Sequence, residues 1–433
     1  MPKSQRRFFV EEMPRNARRS IFLSAIGEVV EWFDFMVYLS LAPILARVLF
    51  SPGDGRVSLL TTLGIFAAAF LARPIGALLF GQLGDRVGRK RALLASALLM
   101  AFAKLIEGVL PTYATIGFLA PTVFLIARII SGISLGGEYT GTFVMLFESA
   151  PPGRRGLTTS LANVMGGTGV FLASSLVALL IASLSKESME SWGWRVPFFT
   201  GSLIALIALA IRTKVSETPL FEEVHSKGET LRSPLRESVR RQSRAILITF
   251  AMAAFNALSY YLVVAFVPTY LESFVKVDHA TAMLVATVAS AFNVVFIAIP
   301  GWISDFFGRK PVLIAGCLGF LFLAYPLYVL LASGVLVAML IAALAFVILC
   351  SCFMGPAMTA AMENFSTEVR FSGFALGYNV GAGFLGGVTP FVAGWLIHST
   401  SVLTAPSFYL ITASAILLVV CIGLKEPFRS EPK

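Results

Sequence analysis

The chain has 433 residues, of which 57% are hydrophobic and only 13% are charged, and its formal net charge is +10. A soluble globular domain carries about 25% charged residues, so a deficit of this size indicates an integral membrane protein instead. The basic residues lie in short polar breaks between apolar runs, so membrane topology explains the positive charge and binding of nucleic acid is not expected.

Long apolar segments follow one another along the whole chain. A helix that crosses a bilayer needs about 20 mostly apolar residues. About twelve segments meet this requirement, and they are residues 20–49, 58–82, 92–110, 119–148, 157–184, 195–212, 245–274, 280–304, 312–332, 335–363, 371–398 and 403–424. The pattern therefore predicts an all-α membrane protein with twelve transmembrane helices, and the short alternating segments of a β-barrel do not occur.

The loops between these segments differ in charge. Nearly all Lys and Arg fall in the N-terminus, "DRVGRKR", "PPGRRG", "DFFGRK", "STEVR", the longest break and the C-terminal tail, whereas "PTYATIGF", "ASGV" and "STSVLTAP" contain none. The positive-inside rule then predicts that both termini are cytoplasmic. The predicted organisation is a cytoplasmic segment 1–19, a first half 20–212, a cytoplasmic linker 213–244, a second half 245–424 and a short cytoplasmic tail 425–433.

Two cytoplasmic motifs occur once in each half. "GQLGDRVGRK" and "GWISDFFGRK" share five positions, which are Gly81/Gly301, Asp85/Asp305, Gly88/Gly308, Arg89/Arg309 and Lys90/Lys310. Glu148 precedes Arg155 at the same spacing as Glu363 precedes Arg370. These matches predict a duplication, with two pseudo-symmetric six-helix halves related by an axis along the membrane normal.

The motifs also carry a family resemblance. "G-x-x-x-D-R-x-G-R-K" between the second and third spans, and Arg128, Gly132 and Gly136 in "RIISGISLG", resemble signatures of the major facilitator superfamily. "EWFDF", "RPIGALLFG", "GGEYTG" and "WGWRVPF" resemble its metabolite:proton symporter family, which includes permeases for α-ketoglutarate, citrate, shikimate, and proline or betaine. The resemblance covers about residues 18–427 and implies proton-coupled uptake by alternating access in the bacterial cytoplasmic (inner) membrane.

Ionisable residues inside the predicted spans are concentrated in the first half. Each costs at least ~2.5–3.5 kcal/mol in a membrane, which makes it a functional candidate. The set is Glu28, Glu31, Asp34, Arg73, Lys104, Glu107, Arg128 and Glu138. The corresponding spans of the second half are nearly free of charge in their middles.

Three acids recur every third residue in "GEVVEWFDFMVY". On a helix, Glu28, Glu31 and Asp34 occupy an arc about 120° wide, which we expect to face a cavity rather than lipid. We predict that Glu31 or Asp34 is the proton-coupling group; the alternative is that they only form salt bridges with Arg128 or Arg73. Glu28 stands where the metabolite:proton symporters usually have Asn. It is either an additional coupling group or a lineage variation, and the sequence favours the second.

Arg128 and Glu138 complete the predicted coupling set with Glu31 and Asp34. They lie on one helix about 15 Å apart, so they do not pair directly. Arg128 is therefore available to a carboxylate from the first span or from the substrate, because arginine binds carboxylates bidentately and stays charged. Protonation of the acid would release the arginine for the substrate.

The predicted substrate-binding residues come from both halves. They are Arg128, Glu31, Asn256, Tyr260, Tyr261 and Asn379. Tyrosine rings can surround a quaternary ammonium group, which would favour a zwitterion such as proline or betaine. A second cationic residue in the cavity, with Arg73 and Lys104 as candidates, would favour a di- or tricarboxylate. The sequence leaves both substrate classes open.

The duplicated motifs are predicted to form gates. An aspartate can face the positive end of a neighbouring helix, and an arginine can pair with a glutamate, and such contacts must break when that face opens. The predicted gating residues are Asp85, Arg89, Glu148, Arg155, Asp305, Arg309, Glu363 and Arg370. For Asp85 and Arg89, the superfamily resemblance implies this role.

Other functions are disfavoured by the motifs. No G-x-x-x-x-G-K-[ST] phosphate loop occurs, so an ATP-driven pump is not expected. The three histidines lie in or near predicted loops, so we expect no metal site, no cofactor and no enzymatic activity. The expected partners are protons, the lipid bilayer and a small organic acid or zwitterion, with the protein as a monomer. A facilitated uniporter or exchanger, or a non-transporting nutrient sensor of the same fold, remains the alternative.

Overall fold

The computed structural model describes residues 15–51 and 55–424, and within these ranges it contains helices and no strand. Eleven helices of the described residues are long and apolar enough to cross a membrane. They match the predicted spans apart from the second, where the structure has a helix of 33 residues. The predicted tail 425–433 and residues 1–14 of the predicted N-terminal segment lie outside the described residues.

The long helices are named α1 to α12 in chain order. Their bounds are α1 Arg15–Val48, α2 Gly55–Val87, α3 Arg89–Val109, α4 Leu119–Ser149, α5 Arg155–Ser183, α6 Val196–Arg212, α7 Ser243–Tyr260, α8 His279–Phe296 continued by Ala298–Phe307, α9 Arg309–Ala332, α10 Leu336–Met362, α11 Arg370–Gly381 continued after a short interruption by Gly387–Thr400, and α12 Ala405–Ile422. Two helices of the first half are longer than a bilayer requires, which membrane helices accommodate by tilt or by extension into the polar region.

The predicted linker 213–244 is not simply an extended loop. It contains two short helices, Pro219–Ser226 and Pro234–Arg241, and each begins with a proline. Proline suits the first helical position because its missing N–H has no intrahelical partner there and its φ is preset. The hydroxyl of Thr218 caps the first of these helices by accepting a hydrogen bond from the N–H of Phe221 at 3.3 Å. The linker is thereby folded beside the membrane helices.

The predicted span 245–274 is interrupted in the structure. The α-helix ends at Tyr260 and is followed by π-helical turns at Tyr261–Ala265 and Tyr270–Val275. Pro268 lies between them, and a proline removes a backbone donor and disturbs the regular helix. A similar π-helical turn at Ala382–Gly386 interrupts α11. Such turns are frequent at functional sites, and the two interruptions lie on the helices that carry Tyr260, Tyr261 and Asn379.

Glycines on α4 bring its backbone against α2. A Cβ added at Gly132 would lie 2.0 Å from the carbonyl oxygen of Ala69, and one added at Gly136 would lie 2.0 Å from that of Arg73. Only glycine allows this approach, as in other membrane helix pairs with small residues at the interface. The glycines of the "RIISGISLG" motif therefore determine how closely Arg73 approaches α4.

Candidate functional site: buried ion clusters and an aromatic cluster

The three acids of α1 are all buried, but they do not share one environment. Glu28 is 0% exposed, Glu31 is 4% exposed and Asp34 is 2% exposed. Each step of three residues turns the side chain by about 60° around the helix. The arc is wide enough for Asp34 to face α3 and α4 while Glu31 faces α2. None of the three acids therefore faces lipid, and Glu31 and Asp34 pair with different cations.

Asp34 belongs to a charge-balanced cluster within the first six helices. It accepts hydrogen bonds from Lys104 Nζ at 2.5 Å and from Arg128 Nη1 at 2.8 and 3.1 Å. Glu107 accepts from Lys104 at 2.5 Å and lies 3.5 Å from Arg128, and the guanidinium of Arg128 lies 4.5 Å from the ring centroid of Tyr38. As expected, Arg128 meets an acid of the first span. Two acids and two cations neutralise one another, and these contacts of Arg128 are all with α1 and α3.

Glu31 belongs to a polar contact that joins α1, α2 and α11. Its carboxylate lies 3.5 Å from Arg73 Nη2. Arg73 Nε donates to Asn379 Oδ1 at 3.2 Å, and Asn379 Nδ2 donates to the carbonyl of Gly136 at 3.0 Å. The other carboxylate oxygen of Glu31, Oε2, is buried and has no hydrogen-bond partner in the part of the chain that the structure describes. Arg73 thus contacts residues from both halves of the sequence.

Five aromatic side chains, here called the aromatic cluster, lie between α1, α2 and the start of the α7 interruption. They are Trp32, Phe35, Phe70, Tyr260 and Tyr261. Ring centroids are 5.5 Å apart for Trp32 and Tyr260, 6.4 Å apart for Phe35 and Tyr261, and 5.8 Å apart for Phe35 and Phe70. The guanidinium of Arg73 lies 5.4 Å from the centroid of Phe70. The cluster therefore extends to the cation at the meeting point of the halves.

Glu138 lies in a third set of charges. It pairs with Arg212 through a very short contact and accepts a hydrogen bond from Ser96 at 2.6 Å. A Cβ at Gly27 would collide with the Arg212 guanidinium, so glycine on α1 makes room for this pair. Asn256, predicted to bind substrate, is 5% exposed, and its Oδ1 has no hydrogen-bond partner within residues 15–51 and 55–424.

The first duplicated motif joins the two halves as an aspartate at a helix N-terminus. Asp85 accepts from the backbone N–H groups of Phe371 at 3.2 Å and Ser372 at 2.8 Å, at the start of α11. A carboxylate is stabilised there by unpaired N–H groups and by the helix dipole. Glu148 accepts from Arg89 at 3.0 and 3.2 Å and from Arg370 at 2.8 Å. The contact with Arg370 crosses from α4 to α11.

The second motif makes the symmetry-related contact. Asp305 accepts from the backbone N–H groups of Gly156 at 2.8 Å and Leu157 at 2.9 Å, at the start of α5. Arg309 donates to Asp305 at 2.6 Å and to Glu363 at 3.2 Å. The guanidinium of Arg155 lies 4.7 Å from the ring centroid of Phe147. Both aspartates thus face the positive ends of helices from the opposite half, as the sequence predicts.

The linker is attached to the first of these contacts. Glu217 accepts from the backbone N–H groups of Arg89 at 3.1 Å and Lys90 at 3.2 and 3.3 Å. Thr218 donates to Glu148 at 2.6 Å. Burial raises the pKa of the Glu217 carboxyl above its usual value, against the lowering effect of these N–H groups. The linker therefore covers the N-terminus of α3 and contacts the same glutamate that joins the halves.

Comparisons with known proteins agree with this arrangement. Residues 20–242 match the family described as sugar (and other) transporter, and residues 249–433 match the major facilitator superfamily. A proline/betaine transporter of Salmonella typhimurium is 31% identical over 421 residues, which cover 94% of this chain and 83% of that protein. The chain belongs to the major facilitator superfamily.

Two further similarities bear on this superfamily member. A glycine betaine/proline/ectoine/pipecolic acid transporter of Dickeya dadantii is 30% identical over 419 residues, covering 94% of this chain and 83% of that protein. The fold is similar to that of a proton:xylose symporter, with a TM-score of 0.79 at 17% identity, covering 95% of this chain and 96% of the other. The protein is a multi-pass membrane transporter rather than an enzyme, and the bacterial inner membrane fits these relatives.

Several residues of this superfamily member gained importance only from the structure. The sequence offers Arg73 and Lys104 as candidates for a second cation, and in the structure Arg73 contacts both halves, whereas Lys104 is held between two acids. Arg212 stands at the predicted end of a span, where a basic residue is usually a topology signal, so the sequence does not single it out. The signal available for Lys104 and Glu107 was their spacing of three residues, which places them on one helix face.

Proposed function

We propose that this superfamily member is a proton-coupled symporter that takes up a small zwitterion of the proline or betaine kind by alternating access. In this proposal twelve transmembrane helices form two six-helix halves with both termini in the cytoplasm. The names of the relatives from Salmonella and Dickeya support this substrate class. The runner-up is the same transport of an organic acid with two or three carboxylates.

The observation that carries the proposal is the position of Arg73 beside the aromatic cluster. A zwitterion presents a carboxylate and a cationic nitrogen close together. The guanidinium of Arg73 suits the carboxylate, and aromatic faces suit a quaternary or secondary ammonium within about 6 Å of the ring centroids. Phe70 lies against Arg73 at 5.4 Å and against Phe35 at 5.8 Å, so the two kinds of recognition group are continuous.

The charges of the first half favour a substrate with a single carboxylate. A di- or tricarboxylate needs a second cation that is free to bind it. Lys104 and Arg128 are both held by Asp34 and Glu107 inside the first six helices. In this proposal Arg73 takes the substrate-binding role assigned to Arg128 from the sequence, and Tyr260, Tyr261 and Asn379 keep theirs.

The Glu31–Arg73 pair supports coupling better than the Asp34–Arg128 pair does. Glu31 holds Arg73 by one contact of 3.5 Å, which is longer than a strong charge-assisted hydrogen bond of about 2.7–2.9 Å. Protonation of an acid beside Arg73 would lower the negative charge that opposes this guanidinium and leave Arg73 to the substrate carboxylate. Asp34 accepts from two cations at short distance, so it fits a fixed structural pair.

In this proposal the gating residues connect substrate binding with the change of conformation. α11 carries Asn379, which contacts Arg73, and also Ser372, whose N–H donates to Asp85. A change of contacts at Arg73 therefore acts on the same helix whose N-terminus joins the two halves. Alternating access requires the contacts of Asp85, Glu148 and Asp305 across the halves to break during each cycle.

The test is uptake by purified protein in proteoliposomes with an imposed inward proton gradient. Labelled proline, betaine, α-ketoglutarate, citrate and shikimate are each offered with and without a protonophore. We expect protonophore-sensitive accumulation of proline or betaine. Accumulation of citrate or α-ketoglutarate instead would select the runner-up, flux that ignores the gradient would indicate a uniporter or exchanger, and binding without flux would indicate a sensor.

Two variants test the site within the same assay. Arg73→Lys keeps the charge but loses the planar bidentate geometry, and we expect a higher KM for the transported zwitterion. Glu31→Gln should abolish proton-driven accumulation. Glu222→Gln, on the exposed face of the linker helix, is the matched control and should transport like the wild type. Equal KM in Arg73→Lys and wild type would remove Arg73 from the substrate site.

A further inference from the structure

Glu28 is the buried acid of α1 that takes part in neither the Glu31–Arg73 pair nor the Asp34–Arg128 pair. Its side chain is 0% exposed. Neither Oε1 nor Oε2 has a hydrogen-bond partner within residues 15–51 and 55–424. A buried ionised carboxylate without donors is strongly disfavoured, and such a group takes up a proton instead. Asp34, six positions further along the same helix, accepts from two cations, so burial alone does not produce this state.

The charges around Glu28 do not balance. Glu31 pairs with Arg73, and Glu138 pairs with Arg212. These four groups, two of each sign, are the strongest charges that act on Glu28. If Glu28 were ionised, this buried set would hold three negative charges and two positive ones. The neighbouring Asp34 cluster contains two acids and two cations, so it offers no spare positive charge. Neutrality of the set requires one proton, and Glu28 is the acid without a partner.

The ionisable groups around Glu28 come from several helices. The titratable and charged groups directed at it are Glu31 on α1, Arg73 on α2, Glu138 and Tyr139 on α4, Arg212 at the end of α6, and Tyr378 on α11. The two tyrosine rings stack on each other with centroids 4.7 Å apart. They are neutral phenols, so they do not change the charge count.

We propose that Glu28 is a proton-binding site of this transporter and holds the symported proton in the conformation described here. The proposal rests on the proposed function, and it reverses the interpretation that the sequence favoured for this residue. The step is a simple binding equilibrium: a proton from water adds to the Glu28 carboxylate before substrate binds and returns to water on the other side of the membrane after substrate leaves. No other bond changes.

The position of Glu28 explains how such a proton would be coupled to substrate. Arg73 acts on Glu28 as well as on Glu31, which lies one helical turn further along α1. The negative charge of an ionised Glu28 would offset part of the positive potential of Arg73 and so weaken its attraction for the substrate carboxylate. A protonated Glu28 leaves Arg73 opposed by Glu31 alone, so the proton and the substrate bind more tightly together than separately. By linkage, each raises the affinity for the other by the same factor.

The decisive variant is Glu28→Gln, which keeps the shape of the side chain and cannot lose a proton. Wild-type proteoliposomes are measured first for protonophore-sensitive accumulation of labelled proline and betaine and for substrate-induced proton uptake with a pH dye. We expect Glu28→Gln to retain exchange of labelled for unlabelled substrate across the membrane, and to lose both accumulation and substrate-induced proton uptake. Glu28→Asp keeps a carboxyl group and should retain accumulation with a shifted pH dependence.

The outcomes separate this inference from the proposed function. If wild-type protein shows no proton-driven uptake of any offered solute, the proposed function fails. If the wild type is coupled and Glu28→Gln accumulates substrate with the same proton ratio, the role of Glu28 is overturned. Loss of exchange in a folded Glu28→Gln would place the residue in substrate binding and would also overturn it. If Glu28→Gln does not fold, Glu28→Asp decides, because an unchanged pH dependence contradicts the proposal.

Discussion

Replacement of Glu148 by Gln tests whether the buried ion contacts across α4 and α11 hold one end of the transporter closed. Glu148 is 4% exposed and accepts from Arg89 and Thr218 within the first six helices and the linker. Of its hydrogen bonds within residues 15–51 and 55–424, only the 2.8 Å contact with Arg370 crosses to the last six helices. Glutamine keeps the side-chain volume but removes the charge that Arg370 meets.

The expected size of the effect follows from that one contact. A hydrogen bond to a charged group contributes about 1.5–3 kcal/mol, and each ~1.4 kcal/mol is a factor of ten in an equilibrium constant. The contacts with Arg89 and Thr218 lie within the first six helices and the linker, so they persist in both the closed and the open state. Weakening them therefore does not change the equilibrium between the two states. We therefore expect Glu148→Gln to shift the equilibrium roughly 10- to 150-fold towards the open end.

The assay is maleimide labelling of Thr159→Cys in a background in which the four native cysteines are replaced. Thr159 is 0% exposed and contacts Thr359 of the opposite half through a very short hydrogen bond, so its labelling rate reports the open population. Glu190→Gln is the matched control, because the contact of Glu190 with Arg47 lies within the first half. Equal labelling rates in the two variants would refute the assignment of closure to the Glu148–Arg370 contact.

Three further predictions concern packing, ion balance and the linker. Gly136→Ala should lower the apparent melting temperature in detergent, because the added Cβ would lie 2.0 Å from the carbonyl of Arg73 and overpacking costs about 1–3 kcal/mol. Gly387→Ala is the control, because a Cβ at Gly387 would have nothing within 4 Å. Equal melting temperatures in the two variants would contradict the close approach of α2 and α4. Asp34→Asn should also lower the melting temperature, since a broken buried ion pair costs about 3–5 kcal/mol, and an unchanged value would show that its partners relax. Burial raises the pKa of Glu217, so the stabilisation that this carboxyl gives to the docked linker is fully present below the usual carboxyl pKa and is lost as pH rises through the raised value. Protection of the Pro219–Ser226 helix against hydrogen exchange should decrease over this pH range, and persistence of the same pH dependence in Glu217→Gln would assign it to another group.

The aspartates of the duplicated motifs show what a sequence can predict about position. Asp85 and Asp305 each follow a long apolar segment, and the helices they face begin at Arg370 and Arg155, within the basic breaks "STEVR" and "PPGRRG". Segment length and loop charge are local properties of the chain, so the level of each residue across the bilayer follows from them. The expected contacts with helix N-termini are therefore present in the structure.

The sequence did not predict which residues pair with the buried acids of α1. The sequence placed Glu28, Glu31 and Asp34 on one arc, but it contains no information on which neighbouring helix covers which part of that arc. Asp34 meets α3 and α4, while Glu31 meets Arg73 on α2, whose distance from α4 depends on backbone contacts at the α4 glycines.

Periodicity and composition determined that this chain is a helical membrane protein with its charges in the first half, because apolar length and helical angle are properties of each segment alone. The tertiary structure decided which charges neutralise one another, since Coulomb interactions between helices depend on distances that no single segment contains. Glu28 is the clearest example. From the sequence it was a variation on a familiar pattern, whereas counting the charges packed around it leaves it as the acid that lacks a counter-ion.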